Sequence, residues 1–217
     1  MKKFAVFDMD GLLFDTERLY QSGWAAMAGE FGQELQPDFP GAVCGTSGES
    51  MFAVIRKYYP NVDPQAFEAG CVRWVQAYLE THGTPLRPGA REILEYFQAN
   101  GVRMALASGS HADIVEKNLQ RSGFKDFFDA VISGDEVSRG KPEPDIFLLA
   151  AQRIGARPED CYVFEDGVNG ARAGTAAGCA TIMIPDLVPP TPDLRDECAG
   201  IYPSLTEAQK AIESGLL

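Results

Sequence analysis

The sequence predicts a doubly wound, Rossmann-like α/β core with a parallel sheet, and an all-helical domain inserted after the first strand. Three observations carry this. An apolar run, Phe4–Phe7, has the length of a buried strand and stops abruptly at Asp8, Asp10 and Gly11. Between Thr16 and His82 the apolar residues recur at three and four, and no strand pattern intervenes. From Pro85 onward short β-like runs alternate with amphipathic segments, which is the rhythm of βαβ units.

Taken in order, the first strand needs partners that only the C-terminal half can supply. The helical stretch carries Leu19, Trp24, Met27 and Phe31, then Phe67, Cys71, Trp74 and Tyr78, at helical spacing. Pro37, Pro40, Pro60 and Pro64 break it into three or four helices. Further strands are expected at 102–107, 130–133, 162–164 and 181–184. The Pro-rich segment 185–192 reads as an ordered surface loop. The expected division is a core of residues 1–14 and 86–217 and a helical domain of residues 15–85. There are no internal repeats.

Composition narrows the partners. With 217 residues, 45% of them hydrophobic, the chain can bury a real core. A net charge of −12 argues against nucleic acid or an anionic membrane as partner, and it means that an anionic ligand needs local positive charge. The five cysteines (Cys44, Cys71, Cys161, Cys179, Cys198) are scattered and lack CxxC spacing, so neither a zinc site nor a disulfide framework is expected. Reduced thiols, no signal-peptide pattern and no membrane-spanning run make a cytoplasmic location the expectation, with a monomer as the default. His82 and His111 are isolated, which speaks against metal binding, although His111 lies close enough to Ser110 to reach a ligand there.

Four stretches carry chemistry. Alternation along a strand puts Asp8 and Asp10 on one side, and two carboxylates that close do not stay ionised together without a cation. Oxygen ligands favour a hard one such as Mg²⁺. An Asp-x-Asp-Gly stretch can also be a plain turn. Next, Ser108-Gly109-Ser110 follows the 102–107 run and precedes a helix starting near Ala112. Free backbone N–H groups at such a helix start suit a phosphate, though either serine could merely cap the helix. In Gly140-Lys141-Pro142-Glu143-Pro144-Asp145 the prolines fix the backbone around a lysine that would otherwise be a solvated loop residue. Finally, Glu165-Asp166-Gly167 ends the 162–164 run, with Gly167, Gly170 and Gly174 on one helical face permitting close backbone approach. Solvated surface carboxylates are the alternative for this second acidic pair.

In this order, Asp8-x-Asp10-Gly11, Ser108, Lys141 and Glu165-Asp166 resemble the four motifs of the haloacid dehalogenase superfamily of phosphatases and phosphomutases, over residues 4–175. The helical insertion resembles the cap of the subfamily that includes β-phosphoglucomutase and phosphoglycolate phosphatase, as does Lys-Pro-x-Pro-Asp-x-Phe at 141–147. The resemblance implies an Mg²⁺-dependent enzyme acting on a small phosphorylated metabolite, with a sugar phosphate expected. Asp8 would attack phosphorus and form an aspartyl-phosphate, and Asp10 would serve as general acid and then base. Mg²⁺ would be held by Asp8, the backbone carbonyl of Asp10 and Asp166, with Glu165 behind them. Ser108, the Gly109 N–H and Lys141 would hold the phosphoryl oxygens, with Gly11 and Ser110 flanking the same seat. The cap loop Gly45-Thr46-Ser47 would face the substrate, and the hinges would lie near Asp15 and residues 84–88.

The resemblance also sorts the alternatives. Dehalogenases of this superfamily lack a second aspartate two residues on, so Asp10 argues against them. A response-regulator receiver domain places its acidic pair on the first strand and its phospho-acceptor later, without a large helical insertion. A non-catalytic binding module on this scaffold should have lost a motif residue, and none is lost. The phosphomutases carry roughly Gly-x-Ser-Arg in the cap loop, where this chain has Gly45-Thr46-Ser47-Gly48, and a histidine where this chain has Tyr20. A bisphosphate intermediate needs a second cationic clamp. A phosphatase is therefore expected, with a phosphomutase as the alternative. Arg18, Arg56, Lys57 and Arg73 are the cations whose placement decides between them.

Overall fold

A computed structural model describes residues 1–217. Six parallel strands form one sheet: β1 (Phe4–Phe7), β2 (Arg103–Ala107), β3 (Ala130–Ile132), β4 (Cys161–Glu165), β5 (Ala180–Met183) and β6 (Gly200–Ile201). Their order is β3-β2-β1-β4-β5-β6. β1 is central, with Val6 opposite Ala105 on one side and Val163 on the other. Burial on both faces explains why these strands read as continuous apolar runs rather than as alternating ones.

One face of the sheet packs Phe7, Leu106 and Phe164 against α5 (Ala90–Ala99), α6 (Ala112–Ser122) and α10 (Leu205–Glu213). Phe7 and Phe164 stack with centroids 4.7 Å apart. The other face packs Val6, Ala105 and Val163 against α7 (Asp145–Arg153) and α8 (Val168–Ala176). The chain winds outward from β1 through β2 to β3, and then on the opposite side from β4 to β6. The carboxyl ends of β2, β1 and β4 therefore flank a topological switch point, where open α/β sheets bind ligands.

The stretch between β1 and β2 forms α1 (Glu17–Glu30), α2 (Phe39–Val43), α3 (Gly48–Tyr58) and α4 (Pro64–His82). These helices have their own apolar cluster around Trp24, Phe39, Tyr59 and Phe67. Trp24 stacks on Phe67 at 5.7 Å and meets Phe39 edge-on at 5.6 Å. α4 starts where the Asp63 carboxylate accepts the Gln65 N–H, with Pro64 at its first position, and it stops at Gly83. Two linkers join this layer to the sheet and pair with each other: Asp15 N–H donates to the Pro85 carbonyl and Arg87 N–H to the Leu13 carbonyl, both at 2.9 Å.

The strands expected at 130–133, 162–164 and 181–184 form with shifted ends. Ser133 leaves β3 to receive a short turn in which its N–H donates to Glu136. β4 runs through Glu165, which places that carboxylate on the strand itself. β6 is only two residues long and carries no readable pattern. The segment 185–192 is a loop whose last residue, Pro192, begins α9 (Pro192–Glu197). No helix is long and apolar enough to cross a membrane.

Candidate active site

Asp8 stands at the end of β1, where its N–H donates to the Phe164 carbonyl at 3.0 Å and so ties it to β4. Its carboxylate is buried and receives the Lys141 ammonium at 2.5 Å on Oδ1. The same ammonium donates to Glu165 Oε1 at 2.6 Å and to the Ala107 carbonyl at 3.3 Å. The loop carrying Lys141 thus brings it to the ends of all three central strands, and it is not a solvated lysine.

Carboxylate oxygens of Asp8, Glu165 and Asp166 converge within 4.8 Å of one another. Glu165 is held in this cluster by Lys141 on Oε1 and by the Gly167 N–H, which donates to Oε2 at 2.9 Å. A Cβ on Gly170 would overlap that carboxylate, so glycine is what lets α8 approach it. The Asp10 carboxylate lies outside this cluster: Thr16 Oγ1 donates to Oδ1 at 2.6 Å and Ser110 Oγ to Oδ2 at 2.9 Å. Gly11 has φ +82° and does not line the cavity, and a Cβ there would overlap the Asp166 carboxylate.

The electrostatics follow from burial. Burial pushes Asp8 up to about 8; Lys141 pulls it back, while Glu165 and Asp10 push it further up. Burial likewise raises Asp10 against the pull of its Thr16 and Ser110 hydrogen bonds, and it raises Asp166 well above the usual range with Glu165 and Asp8 adding to it. For Lys141 burial acts downward, but the charges of Asp8 and Glu165 outweigh it and hold the ammonium protonated. One ammonium does not balance this many carboxylates. The oxygen-only donor set fits a hard divalent cation such as Mg²⁺.

Ser108 and Ser110 do not cap α6. The Asp135 carboxylate accepts the Ala112 N–H at 2.8 Å and meets His111 Nδ1 at 2.7 Å. Ser108 Oγ accepts the Ser110 N–H at 3.1 Å, which leaves its own proton free for a ligand. From above, the loop before α3 presses on this seat. Gly45 accepts the Asn169 side-chain amide at 3.3 Å, and a Cβ on Gly140 would sit 3.1 Å from Ser47 Oγ. Thr46 Oγ1 donates back to the Val43 carbonyl at 2.6 Å, and Ser47 is the N-cap of α3, so both also have local structural duties.

The cavity between the two layers has a volume of about 650 Å³. Its floor holds Asp8, Asp10, Ser108, Gly109, Lys141 and Asp166; Tyr20, Trp24, Met51 and Val72 form its roof, with Glu17 and Glu68 among them. Lys141 is its one permanent cation, because Arg18, Arg56, Lys57 and Arg73 do not line it. Sequence reasoning missed Thr16, Asp135 and Glu17. Glu17 is pushed up to about 7 by burial and by the Asp10 charge, and Cys44 Sγ lies 3.5 Å from its carboxylate. Nothing in the local sequence signals Asp135, whose partners are distant in the chain.

The model of one hydrolase family, the haloacid dehalogenase-like hydrolases, matches residues 2–178, from before β1 to the end of α8. The chain belongs to the haloacid dehalogenase-like hydrolases. Among the relatives of this haloacid dehalogenase-like hydrolase is a fructose-1-phosphate phosphatase of Escherichia coli, 36% identical over 184 residues, which cover 82% of this chain and 94% of the relative. Another is hexitol phosphatase B of the same species, 32% identical and covering 83% of this chain and 82% of that one. Solved structures share the fold at lower identity. A β-phosphoglucomutase from Clostridium difficile superposes with a TM-score of 0.82 at 19% identity, covering 100% of this chain and 97% of that one. CbbY from Rhodobacter sphaeroides gives 0.81 at 23%, covering 95% and 96%.

Proposed function

We propose that this haloacid dehalogenase-like hydrolase is an Mg²⁺-dependent phosphatase of small phosphorylated metabolites, sugar phosphates in particular, and that Asp8 is its nucleophile. The observation that carries the choice of phosphatase over phosphomutase is the single permanent cation in the cavity, Lys141 at the floor. A bisphosphate would place its second phosphate against a roof of aromatic, apolar and acidic side chains, with no guanidinium or ammonium to receive it. The fructose-1-phosphate and hexitol phosphatases among the relatives support the same substrate class.

In this reading Asp8 attacks the phosphorus of a monoester. The bond from phosphorus to the ester oxygen breaks, and Asp10 gives that oxygen its proton, so the products are an alcohol and an aspartyl-phosphate. Asp10 then takes a proton from the water that attacks the aspartyl-phosphate, which returns Asp8 and releases phosphate. The raised pKa of Asp10 suits it to begin protonated, and its two hydroxyl partners hold it in place. Ser108, the Gly109 N–H and Lys141 hold the transferring oxygens. Asp8, Asp166 and the Asp10 carbonyl, with Glu165 adjoining, would hold Mg²⁺, which when bound neutralises phosphoryl charge and keeps Asp8 ionised. Residues 15–85 act as a cap that closes on a core of residues 1–14 and 86–217, with Thr46 and Ser47 near the leaving group.

The test is phosphate release from sugar monophosphates, phosphoglycolate, nucleotides and pyrophosphate, with Mg²⁺ and with EDTA, beside a coupled assay converting β-glucose 1-phosphate to glucose 6-phosphate. Mg²⁺-dependent release from monophosphates without isomerisation is expected. Isomerisation without net release would overturn the phosphatase reading.

A further inference from the structure

Away from the cavity, four charged side chains meet where the inserted helices join the sheet. The Asp186 carboxylate, in the loop after β5, is 2% exposed and receives two arginines on Oδ1: Arg87 Nη1 at 2.7 Å and Arg18 Nη2 at 3.0 Å. Arg18 also lies 2.5 Å from Asp15 Oδ1, and Arg87 lies 3.8 Å from the same atom. The two arginines stand on different bodies. Arg18 is in the first turn of α1, whereas Arg87 follows the second linker and precedes α5, on the sheet side. Arg18 is half exposed and Arg87 is 15% exposed. The residues after Asp186, Leu187 and Val188, line the cavity, as does Glu17 just before Arg18.

We propose that the Arg18–Asp186 pair is a latch that holds the cap over the cavity and sets the Leu187–Val188 wall against the substrate, with Arg87 as the fixed counter-ion. A buried carboxylate that loses its only partner is strongly destabilised. Asp186 keeps Arg87 when α1 swings away, so the latch can release without stranding a charge. The half-exposed Arg18 contact has the modest strength of a surface ion pair, which suits a contact that breaks in each cycle. Asp186 and Arg18 are positioning residues: neither lines the cavity. The kinetic part of this inference rests on the phosphatase reading, and the structural part does not.

The test compares Arg18→Ala, Arg18→Lys and Asp15→Asn in the full chain. Hydrogen exchange at the Asp15 and Arg87 amides reads the linker pairing directly, and the amides of β1 and β4 report global stability. Arg18→Ala is expected to speed exchange at the two linker amides about three- to fivefold, leaving the strand amides unchanged. It should raise KM for a sugar monophosphate by a similar factor while changing kcat/KM for acetyl phosphate, which has little for the cap to grip, less than about twofold. Both effects should shrink in wild type at high salt, and Arg18→Lys should restore part of each. Asp15→Asn should resemble wild type. Unchanged linker exchange in Arg18→Ala overturns the latch, as does equal acceleration in linkers and strands. An Asp15→Asn effect as large as that of Arg18→Ala reassigns the contact to Asp15 and overturns it too. If no phosphomonoester is hydrolysed, the phosphatase reading fails, and linker exchange alone decides the latch.

Discussion

The sheet side and the helical layer meet over one cavity and contribute opposite things to it. The floor is polar and tightly held: Asp8, Asp10, Ser108, Lys141 and Glu165 each have a named partner at 2.5–3.1 Å. It rests on parallel strands whose register cannot slip without turning buried side chains outward. The roof is aromatic and apolar with two carboxylates, and it is carried by helices packed on a separate aromatic cluster. The charged side chains whose geometry is fixed by hydrogen bonds therefore sit on the sheet layer. In the proposed reading, recognition of the rest of the substrate falls to the helical layer, joined to the sheet by two paired linkers.

The sharpest way to break this comparison is Asp8→Asn. It removes the nucleophile proposed for the floor and leaves the roof intact, so kcat should fall a thousandfold or more, on the order of 4 kcal/mol of barrier, in a phosphate-release assay. Near-normal turnover would refute the assignment of chemistry to the floor. Gly170→Ala tests the packing beneath it. The new methyl must displace Glu165 and with it the partner of Lys141. A loss of about ten- to a hundredfold in kcat with an unchanged far-UV spectrum is expected.

Removing metal sharpens the electrostatic side. The carboxyl of Asp8 is raised from 3.8 to about 8 and that of Glu17 from 4.5 to about 7, both chiefly by burial. A raised acid binds more protons folded than unfolded, so its contribution falls as pH rises above the unfolded value and levels off beyond the folded one. In EDTA the melting temperature should therefore drop between about pH 5 and pH 8. Mg²⁺ should raise it more at the upper end than at the lower, as scanning calorimetry would read. An equal Mg²⁺ effect at both ends would contradict a cluster held together by a cation.

The smallest effect concerns the rim. His111 is raised above 6.5, first by its hydrogen bond to Asp135, while Asp135 is lowered by the Ala112 N–H and by His111. The contribution of His111 is complete below its unfolded pKa and is lost as pH rises through the folded one. That of Asp135 is complete above its unfolded value and is lost as pH falls through the folded one. An NMR titration should show His111 with an upward-shifted midpoint that returns toward 6.5 in Asp135→Asn. No shift in that variant would remove Asp135 as the cause.

Much of this was legible in the chain. Phe4–Phe7 ending in Asp8 and Asp10 is a local pattern, because a buried parallel strand must be apolar throughout and must stop where the sheet meets its ligand. The βαβ rhythm, the helical insertion and the placement of Ser108, Glu165 and Asp166 at strand ends follow from short-range periodicity in the same way. What depended on distant contacts was decided by tertiary structure. Thr16 and Ser110 are what hold the Asp10 carboxylate, and Glu165 joins Asp8 and Asp166 because β4 runs one residue further and α8 presents glycine. Asp135, rather than a serine, caps α6 from another loop. Two-residue β6 exists only because β5 offers it an edge. The cap's four basic side chains are equivalent in sequence, and only the packing of α1 to α4 turned them all away from the cavity. Local pattern specifies where a polar group leaves an element, whereas its partner is chosen by whatever the fold brings within hydrogen-bond reach.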